Sequence, residues 1–364
     1  MADSVSDFKG DLTQTLQARV RQAFEAGEPL AIKGGGSKHF YGREGIGSPL
    51  QLTGHTGVVS YDPAELVITA RAGTTLAELE TTLADKGQML GFEPPCFGTA
   101  ATLGGAVASG LSGPRRPYSG AVRDFMLGVR IINGKGEALR FGGQVMKNVA
   151  GFDVSRLMAG AMGTLGVLLE VSLRVVPLPE SEQTLVFEIA DTDSTVRQMN
   201  QWAAQPLPLS AALWEEGGLL RARLSGSDAA LAAARDRMGG DSDAEGGAIW
   251  PALREHAMPF FALDPDDVLW RLSVPPASPA LQLPGRWLVD WGGAQRWLIS
   301  NAPAGAVREA AEGVGGHAMR FRGGDRGSAV FQPLPGYLGG LHERLKRAFD
   351  PAGILNPGRL YEGT

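Results

Sequence analysis

A chain of 364 residues and 38.3 kDa is longer than one core usually holds, so two domains are expected. Hydrophobic content of 43%, charged content of 20% and a net charge of −5 describe a globular protein and exclude a basic footprint for nucleic acid or anionic lipid. One cysteine, Cys96, excludes an internal disulfide and a self-sufficient iron–sulfur cluster, while the 51 glycines, about twice the usual share, gather in non-periodic clusters.

The chain opens Met1-Ala2-Asp3-Ser4, without the basic and apolar regions of a signal peptide, and no run reaches the roughly 18 apolar residues of a membrane span. The expectation is a cytoplasmic chain, or one peripheral on the inner face of the cytoplasmic membrane that meets the membrane through partners. Leu12, Leu16, Val20 and Phe24 mark an amphipathic helix over 11–26. A short strand, Pro29–Ile32, then runs into Lys33-Gly34-Gly35-Gly36-Ser37-Lys38. Two lysines and a hydroxyl around a glycine turn suit a pyrophosphate cradle or a plain turn with solvated lysines. The loop fits neither G-x-x-x-x-G-K-[ST] nor G-x-G-x-x-G.

Strands are expected over Gly57–Tyr61 and Leu66–Arg71 around the Asp62-Pro63 turn. Thr75-x-x-Glu78 is a capping box for a helix carrying Leu76, Leu79 and Leu83 that stops at Gly87. Pro94 to Gly110 then carries four glycines, two prolines and no charge. Gly104-Gly105 opens a helix-compatible run of small residues, so backbone N–H groups there reach a phosphate or another electron-rich ligand, or two elements pack tightly.

Phe125–Ile132 reads as a strand, and Asn133-Gly134 as a hairpin turn returning through Glu137–Phe141. Lys147-Asn148-Val149-Ala150-Gly151-Phe152-Asp153 leads to a short helix over Val154–Met158, then to Gly160-Ala161-Met162-Gly163-Thr164-Leu165-Gly166. In the next strand Leu169, Val171, Leu173 and Val175 alternate with Glu170, Ser172 and Arg174, implying one buried face. Pro177 and Pro179 mark a domain boundary.

From about 180 to 330 the pattern predicts strands at Thr184–Ile189, Ala211–Trp214, Leu219–Leu224, Leu269–Val274, Trp287–Asp290, Arg296–Ile299 and Met319–Arg322. Helices are expected over Ser194–Ala203, Ser227–Met238 and Ala304–Glu312. Hairpins with interleaved helices suggest an antiparallel α+β layer covered on one face. Trp287, Trp291 and Trp297 fit core, partner surface or substrate pocket. An amphipathic tail helix (Leu338, Leu341, Leu345, Phe349) ends in D-P-x-G-I-L-N-P-G-R and is expected to dock back on the first domain.

Taken in order, these clusters resemble the FAD-binding domain of the vanillyl-alcohol oxidase / p-cresol methylhydroxylase superfamily, over about 28–178 and 335–360. The resemblance rests on the Lys33–Lys38 loop, P-P-x-x-G-T-x-x-T-L-G-G-x-x-x-S-G, K-N-x-x-G-F-D, Gly163-Thr164-Leu165-Gly166-Val167 and the closing motif. Within the superfamily the chain is most similar to the second FAD-binding subunits of bacterial glycolate oxidases, with D-W-G-G-A-Q-R-W-L and a short cap supporting that finer match. It implies an α+β fold: a two-lobed FAD-binding domain of the p-cresol methylhydroxylase type (1–178, completed by 331–364) and a small antiparallel-sheet cap (179–330).

The same resemblance implies an FAD site. Lys33, Gly34, Gly35, Gly36 and Ser37 would wrap the pyrophosphate. Pro95, Gly98, Thr99, Thr102, Leu103, Gly104, Gly105, Ser109 and Gly110 would line the flavin, Gly163, Gly166 and Val167 would close the pocket, and Asn356 would sit near the ring. Some relatives link a histidine covalently to the flavin where this chain has Ser37, so FAD is expected to be non-covalent, with His39 peripheral. Met162 stands where relatives often carry an acid.

His39, His55, His256, His317 and His342 show no metal-ligand spacing, so no metal is expected. Arg271 and Arg296 are the candidate clamps for a substrate carboxylate. The resemblance implies a flavin subunit of a multi-subunit glycolate (2-hydroxy-acid) oxidase, working with a homologous catalytic flavoprotein and an iron–sulfur subunit that passes electrons towards quinone. A stand-alone FAD oxidoreductase and a scaffold with a vestigial flavin pocket are the rival readings.

Overall fold

The computed structural model describes residues 10–143, 153–244 and 246–363. Lys147 to Phe152 of the K-N-x-x-G-F-D motif lie outside the described residues.

Helix α1 (Thr13–Ala26) buries Leu16, Val20 and Ala23 on one stripe and ends at Gly27, whose φ of 64° supplies the left-handed cap. The chain then enters β1 (Leu30–Lys33), which pairs in parallel with β2 (Ser48–Gln51). The other edge of β1 is completed by the C-terminal segment. Leu30 N–H donates to Ile354 O at 2.7 Å, and Asn356 N–H donates back to Leu30 O at 2.9 Å. Asp350 builds that segment: its carboxylate accepts from Ile354 and Leu355 N–H and pairs with the buried Lys346 at 2.8 Å. Lys346 in turn donates to Thr164 and Leu355 carbonyls. The tail helix, Gly336–Phe349, packs Leu345 and Phe349 on this core, whereas Leu341 stays exposed.

Five strands form the main sheet of this part, in the order β3 (Val58–Asp62), β4 (Val67–Arg71), β8 (Val167–Arg174), β6 (Met126–Ile132), β7 (Ala138–Gly142), all antiparallel. A two-stranded pair, β5 (Gln88–Met89) with β9 (Val176–Pro177), lies beside it. The alternation read along β8 does not mean one wet face. The strand is central, and Glu170 and Ser172 are buried on the second face. There Glu170 accepts from Arg130 and Arg140, and Ser172 bonds Thr69. The β6–β7 turn also differs from a two-residue hairpin. Asn133 Oδ1 accepts from Lys135 and Glu137 N–H, and Gly136, not Gly134, takes the positive φ of 78°. Helix α2 (Leu76–Ala84) is capped by Thr75, whose hydroxyl accepts from Glu78 N–H, and buries Leu76, Leu79 and Leu83.

Residues after Pro179 build an eight-stranded antiparallel sheet, larger than the seven strands expected. Its order is β13 (Asp241–Ser242), β10 (Ser181–Glu188), β12 (Leu219–Gly226), β11 (Leu209–Glu215), β15 (Arg286–Asp290), β16 (Gln295–Ile299), β14 (Leu269–Ser273), β17 (His317–Arg322). Both faces are covered, not one. Helices Thr192–Ala203, Asp228–Met238 and Ala304–Glu312 pack on one face through Met199, Trp202, Leu231 and Val307. The other face packs Leu213, Leu269, Leu288, Trp297, Met319 and Phe321 against Tyr41, Leu111 and Met162 from the first part of the chain. That second interface positions the site.

Candidate functional site

A cavity of about 400 Å³ opens where three glycine-rich segments meet. Its first wall is the loop after β1, and the packing explains why this loop is glycine. A Cβ on Gly35 would sit 1.5 Å from Ala100 O, and one on Gly34 would sit 2.6 Å from Thr102 Oγ1. Gly36 adopts φ +77° with open space around it. The second wall is α3 (Leu103–Ser109), capped by Thr102, whose hydroxyl accepts from Gly105 N–H at 3.2 Å. Gly104, Gly105, Ala108 and Ser109 face the cavity along this helix.

The third wall is Met162, Gly163, Gly166 and Asn356. Asn356 is held rigidly: its Oδ1 accepts from Ile32 N–H at 2.7 Å, and its amide donates to Met162 O at 2.7 Å. A Cβ on Gly163 would lie 2.7 Å from the Asn356 amide nitrogen. Met162 and Asn356 both hold left-handed backbone, with φ 52° and 45°.

Cations ring the opening. Lys33 is exposed at the rim, as is His39. Burial holds the Lys38 ammonium down at about 8, and its Nζ donates to Cys96 O at 3.3 Å. Burial likewise lowers the Arg359 guanidinium to about 10, with Tyr41 O accepting from it at 2.7 Å. Backbone amides, a wide floor without side chains and three cations form a cradle for a flat, polyanionic ligand such as FAD.

Of the residues expected at the cofactor, the cavity gathers Lys33, Gly34, Gly35, Gly36, Ser37, Thr102, Gly104, Gly105, Ser109, Gly163, Gly166 and Asn356. Others fall elsewhere. Leu103 and Val167 are buried in the core because helix and strand periodicity turns them inward. Gly110 caps α3 with φ 67° and packs on Gly160. Gly98 stands near Ser37, Thr99 is exposed in the same loop, and Pro95 lines a second cavity. Lys38, the second lysine of the suggested cradle, lines the site too, and Gln51 and Arg359 do so without having been singled out. Arg359 was signalled only by its place at the end of the D-P-x-G-I-L-N-P-G-R run. The adjacent glycines differ in kind. A Cβ on Gly104 would meet the Ala72 backbone at 2.9 Å, so this glycine serves packing, whereas one on Gly105 meets only Thr102 Oγ1 at 3.2 Å.

The second cavity, about 30 Å³, lies on the sheet side of the Pro95–Phe97 loop and is lined by Phe97, His256, Arg271, Asp290, Gln295 and Trp297 among others. Glu255 fixes the loop by accepting from Cys96 and Phe97 N–H at 2.6–3.1 Å. Arg271 lies here, with Nε donating to Gln295 Oε1 at 2.6 Å. Arg296 does not. Its guanidinium is buried on carbonyls of Gly293, Ser278 and Pro279, which occupies its donors and removes it as a carboxylate clamp. Of the tryptophans, Trp291 and Trp297 are buried and Trp287 is half-buried. Among the described residues, no group of three His, Cys, Asp or Glu side chains is placed to hold a metal, and no helix is long and apolar enough to cross a membrane.

Residues 11–142 match the model of the FAD binding domain family. Across 351 residues the chain is 48% identical to glycolate oxidase subunit GlcE of Escherichia coli (strain K12), covering 96% of this chain and 98% of that one. The chain belongs to the GlcE family. Two further relatives match less than half of the chain. Glycolate oxidase subunit GlcD of Bacillus subtilis (strain 168) is 27% identical over 45% of this chain and 35% of its own length. D-lactate dehydrogenase of Anaerostipes hadrus is 29% identical over 43% of this chain and 33% of its own. The chain thus spans about a third of these two relatives. A solved alkyldihydroxyacetonephosphate synthase superposes with a TM-score of 0.66 at 16% identity, covering 94% of this chain and 74% of that one, so the fold of the family is shared with it. FAD is the cofactor of the family, and its binding domain and fold are those the sequence motifs implied.

Proposed function

We propose that the chain is the FAD-carrying subunit of a multi-subunit glycolate (2-hydroxy-acid) oxidase that passes electrons through an iron–sulfur partner towards quinone. The reading rests on one conjunction: a match along 98% of a glycolate oxidase subunit, in a chain with a cavity floored by bare backbone. On this reading residues 1–178 with 331–364 form the flavin domain, and 179–330 form the cap. The amides of Gly34 to Ser37, with Lys33, Lys38 and Arg359 around them, hold the pyrophosphate. Gly105, Ser109, Gly163 and Asn356 hold the flavin edge. When bound, FAD supplies an acceptor for the two electrons of a C–H bond. Ser37 stands where some relatives carry the linking histidine, so the cofactor is held by contacts alone.

The test is the visible spectrum of the purified chain before and after acid precipitation. Flavin absorbance that moves wholly to the supernatant supports the reading, and colour left in the pellet refutes non-covalent binding. Gly105→Asp places a carboxylate in open cavity space without touching backbone, so it is expected to fold and to lose the flavin. A folded, yellow Gly105→Asp protein would remove the site assignment. Gly104→Asp is the poorer probe, because it drives the Ala72 backbone aside.

A further inference from the structure

The tail helix, Gly336–Phe349, puts a charge where an apolar residue is expected. Of its 14 residues only Lys346 is buried, at 7% exposure, and its partner Asp350 is 1% exposed. A buried ion pair adds little net stability over an apolar pair of the same volume, because desolvation offsets the attraction. What this pair fixes is geometry.

The Lys346 ammonium has three donors, and each meets one acceptor. Its Nζ lies 2.8 Å from Asp350 Oδ2 and donates to Thr164 O at 2.9 Å and Leu355 O at 2.6 Å. No donor is left for a ligand, and Lys346 does not line the large cavity. Both carbonyls, however, stand one residue from the third wall of that cavity: Thr164 follows Gly163, and Leu355 precedes Asn356. The peptide joining Leu355 to Asn356 is held at both ends, its carbonyl by Lys346 and its N–H by Leu30 O at 2.9 Å. Asp350 secures the same segment by accepting from Ile354 N–H at 3.1 Å and Leu355 N–H at 2.7 Å.

The wall fixed in this way is strained. Met162 and Asn356 hold left-handed backbone, a state that residues other than glycine keep only where surrounding contacts over-determine it. The Asn356 amide donates to Met162 O at 2.7 Å, and Thr164 donates its N–H and its hydroxyl to Ala161 O at 2.9 and 2.7 Å. The 161–164 turn and Asn356 are therefore linked once at the cavity, through the Asn356 side chain, and once from the core, through Lys346. No uncharged side chain brings three convergent donors to one atom, so the second link depends on the ammonium.

We infer that Lys346 is a positioning residue of the cofactor site: it sets the spacing between the Met162–Gly166 turn and Asn356, and its loss weakens flavin binding beyond what it takes from the fold. The inference rests on the proposed flavin-subunit function, which supplies the ligand.

The test uses the full chain stripped of flavin and titrated with FAD. It is read by flavin fluorescence, by visible circular dichroism at saturation and by urea unfolding of the same samples. Lys346→Met keeps the reach of the side chain and removes all three donors. At least a tenfold loss of FAD affinity and an altered flavin dichroism at saturation are expected. Leu231→Ala is the control for lost stability alone, because Leu231 is buried under a helix on the far face of the second sheet. Its urea midpoint should fall while FAD affinity stays within twofold and the dichroism is unchanged. Lys346→Arg keeps the ion pair with Asp350 and so folds even if Lys346→Met does not. Its planar fork cannot serve two carbonyls and a carboxylate from one tetrahedral nitrogen, so a several-fold loss of affinity is expected. Wild-type affinity or wild-type dichroism in the folded Lys346 variants, or an equal affinity loss in Leu231→Ala, overturns the inference. A wild-type chain that takes up no FAD defeats the flavin reading and the inference together, whereas a flavin-loaded wild type beside an unaffected Lys346→Met defeats the inference alone.

Discussion

Asp290 shows at the scale of one residue how the second cavity governs its own charge. Burial pushes its carboxyl up from 3.8 to about 7, although Trp291 N–H, the Gln295 amide and Arg271 all favour ionisation; Glu93 opposes it. Tyr118, whose hydroxyl is pushed up by burial and then by the Asp290 charge, faces it as a neutral group. Between pH 4 and 7 the native state keeps a proton that the unfolded chain has released, so stability from this group falls as pH rises and levels above 7. In thermal melts from pH 4 to 8, wild type minus Asp290→Asn should show that decline. A pH-independent difference would mean the carboxyl ionises normally. The same titration places a negative charge beside Arg271 above pH 7.

At the scale of elements, Glu93 ties the glycine-rich segment to the second sheet. Its carboxylate accepts from Arg115 N–H and Nε, and from Arg223 of β12 at 2.8 and 3.0 Å. Burial alone would raise its pKa, but the Arg223 and Arg115 guanidiniums outweigh that and hold it below the ordinary 4.5. Removing one partner of a buried ion network costs about 3–5 kcal/mol, because the remaining charges stay desolvated. Glu93→Gln, close in shape, is therefore expected to lose that order of stability in urea unfolding, and a loss under about 1 kcal/mol would show the two parts are not coupled here.

At the scale of the molecule, the chain covers only 33–35% of the dehydrogenase and GlcD relatives, and its lone cysteine provides no iron–sulfur relay. A chain that holds FAD still needs an outlet for its electrons. Steady-state oxidation of glycolate with a quinone acceptor is expected to be negligible for the isolated chain and restored on adding the partner subunits. Robust turnover by the isolated chain would return the stand-alone oxidoreductase reading.

The sequence by itself determined what depends on local backbone chemistry. The Gly34–Gly36 turn and the Gly104-Gly105 helix start were legible in the residues, because a bare backbone near a polyanion demands glycine, whereas Thr102, Gly163 and Asn356 were placed at the site by the family resemblance. Helix stripes such as Leu16–Val20 and Leu76–Leu83 were legible for the same local reason. Tertiary structure alone decided the rest. Periodicity could not show that β8 is central, and so buried on both faces. Spacing could not separate Arg271, left facing a cavity, from Arg296, spent on three carbonyls. His256, Arg271 and Trp297 converge through cross-strand register and one strained loop, distances that a linear chain does not encode.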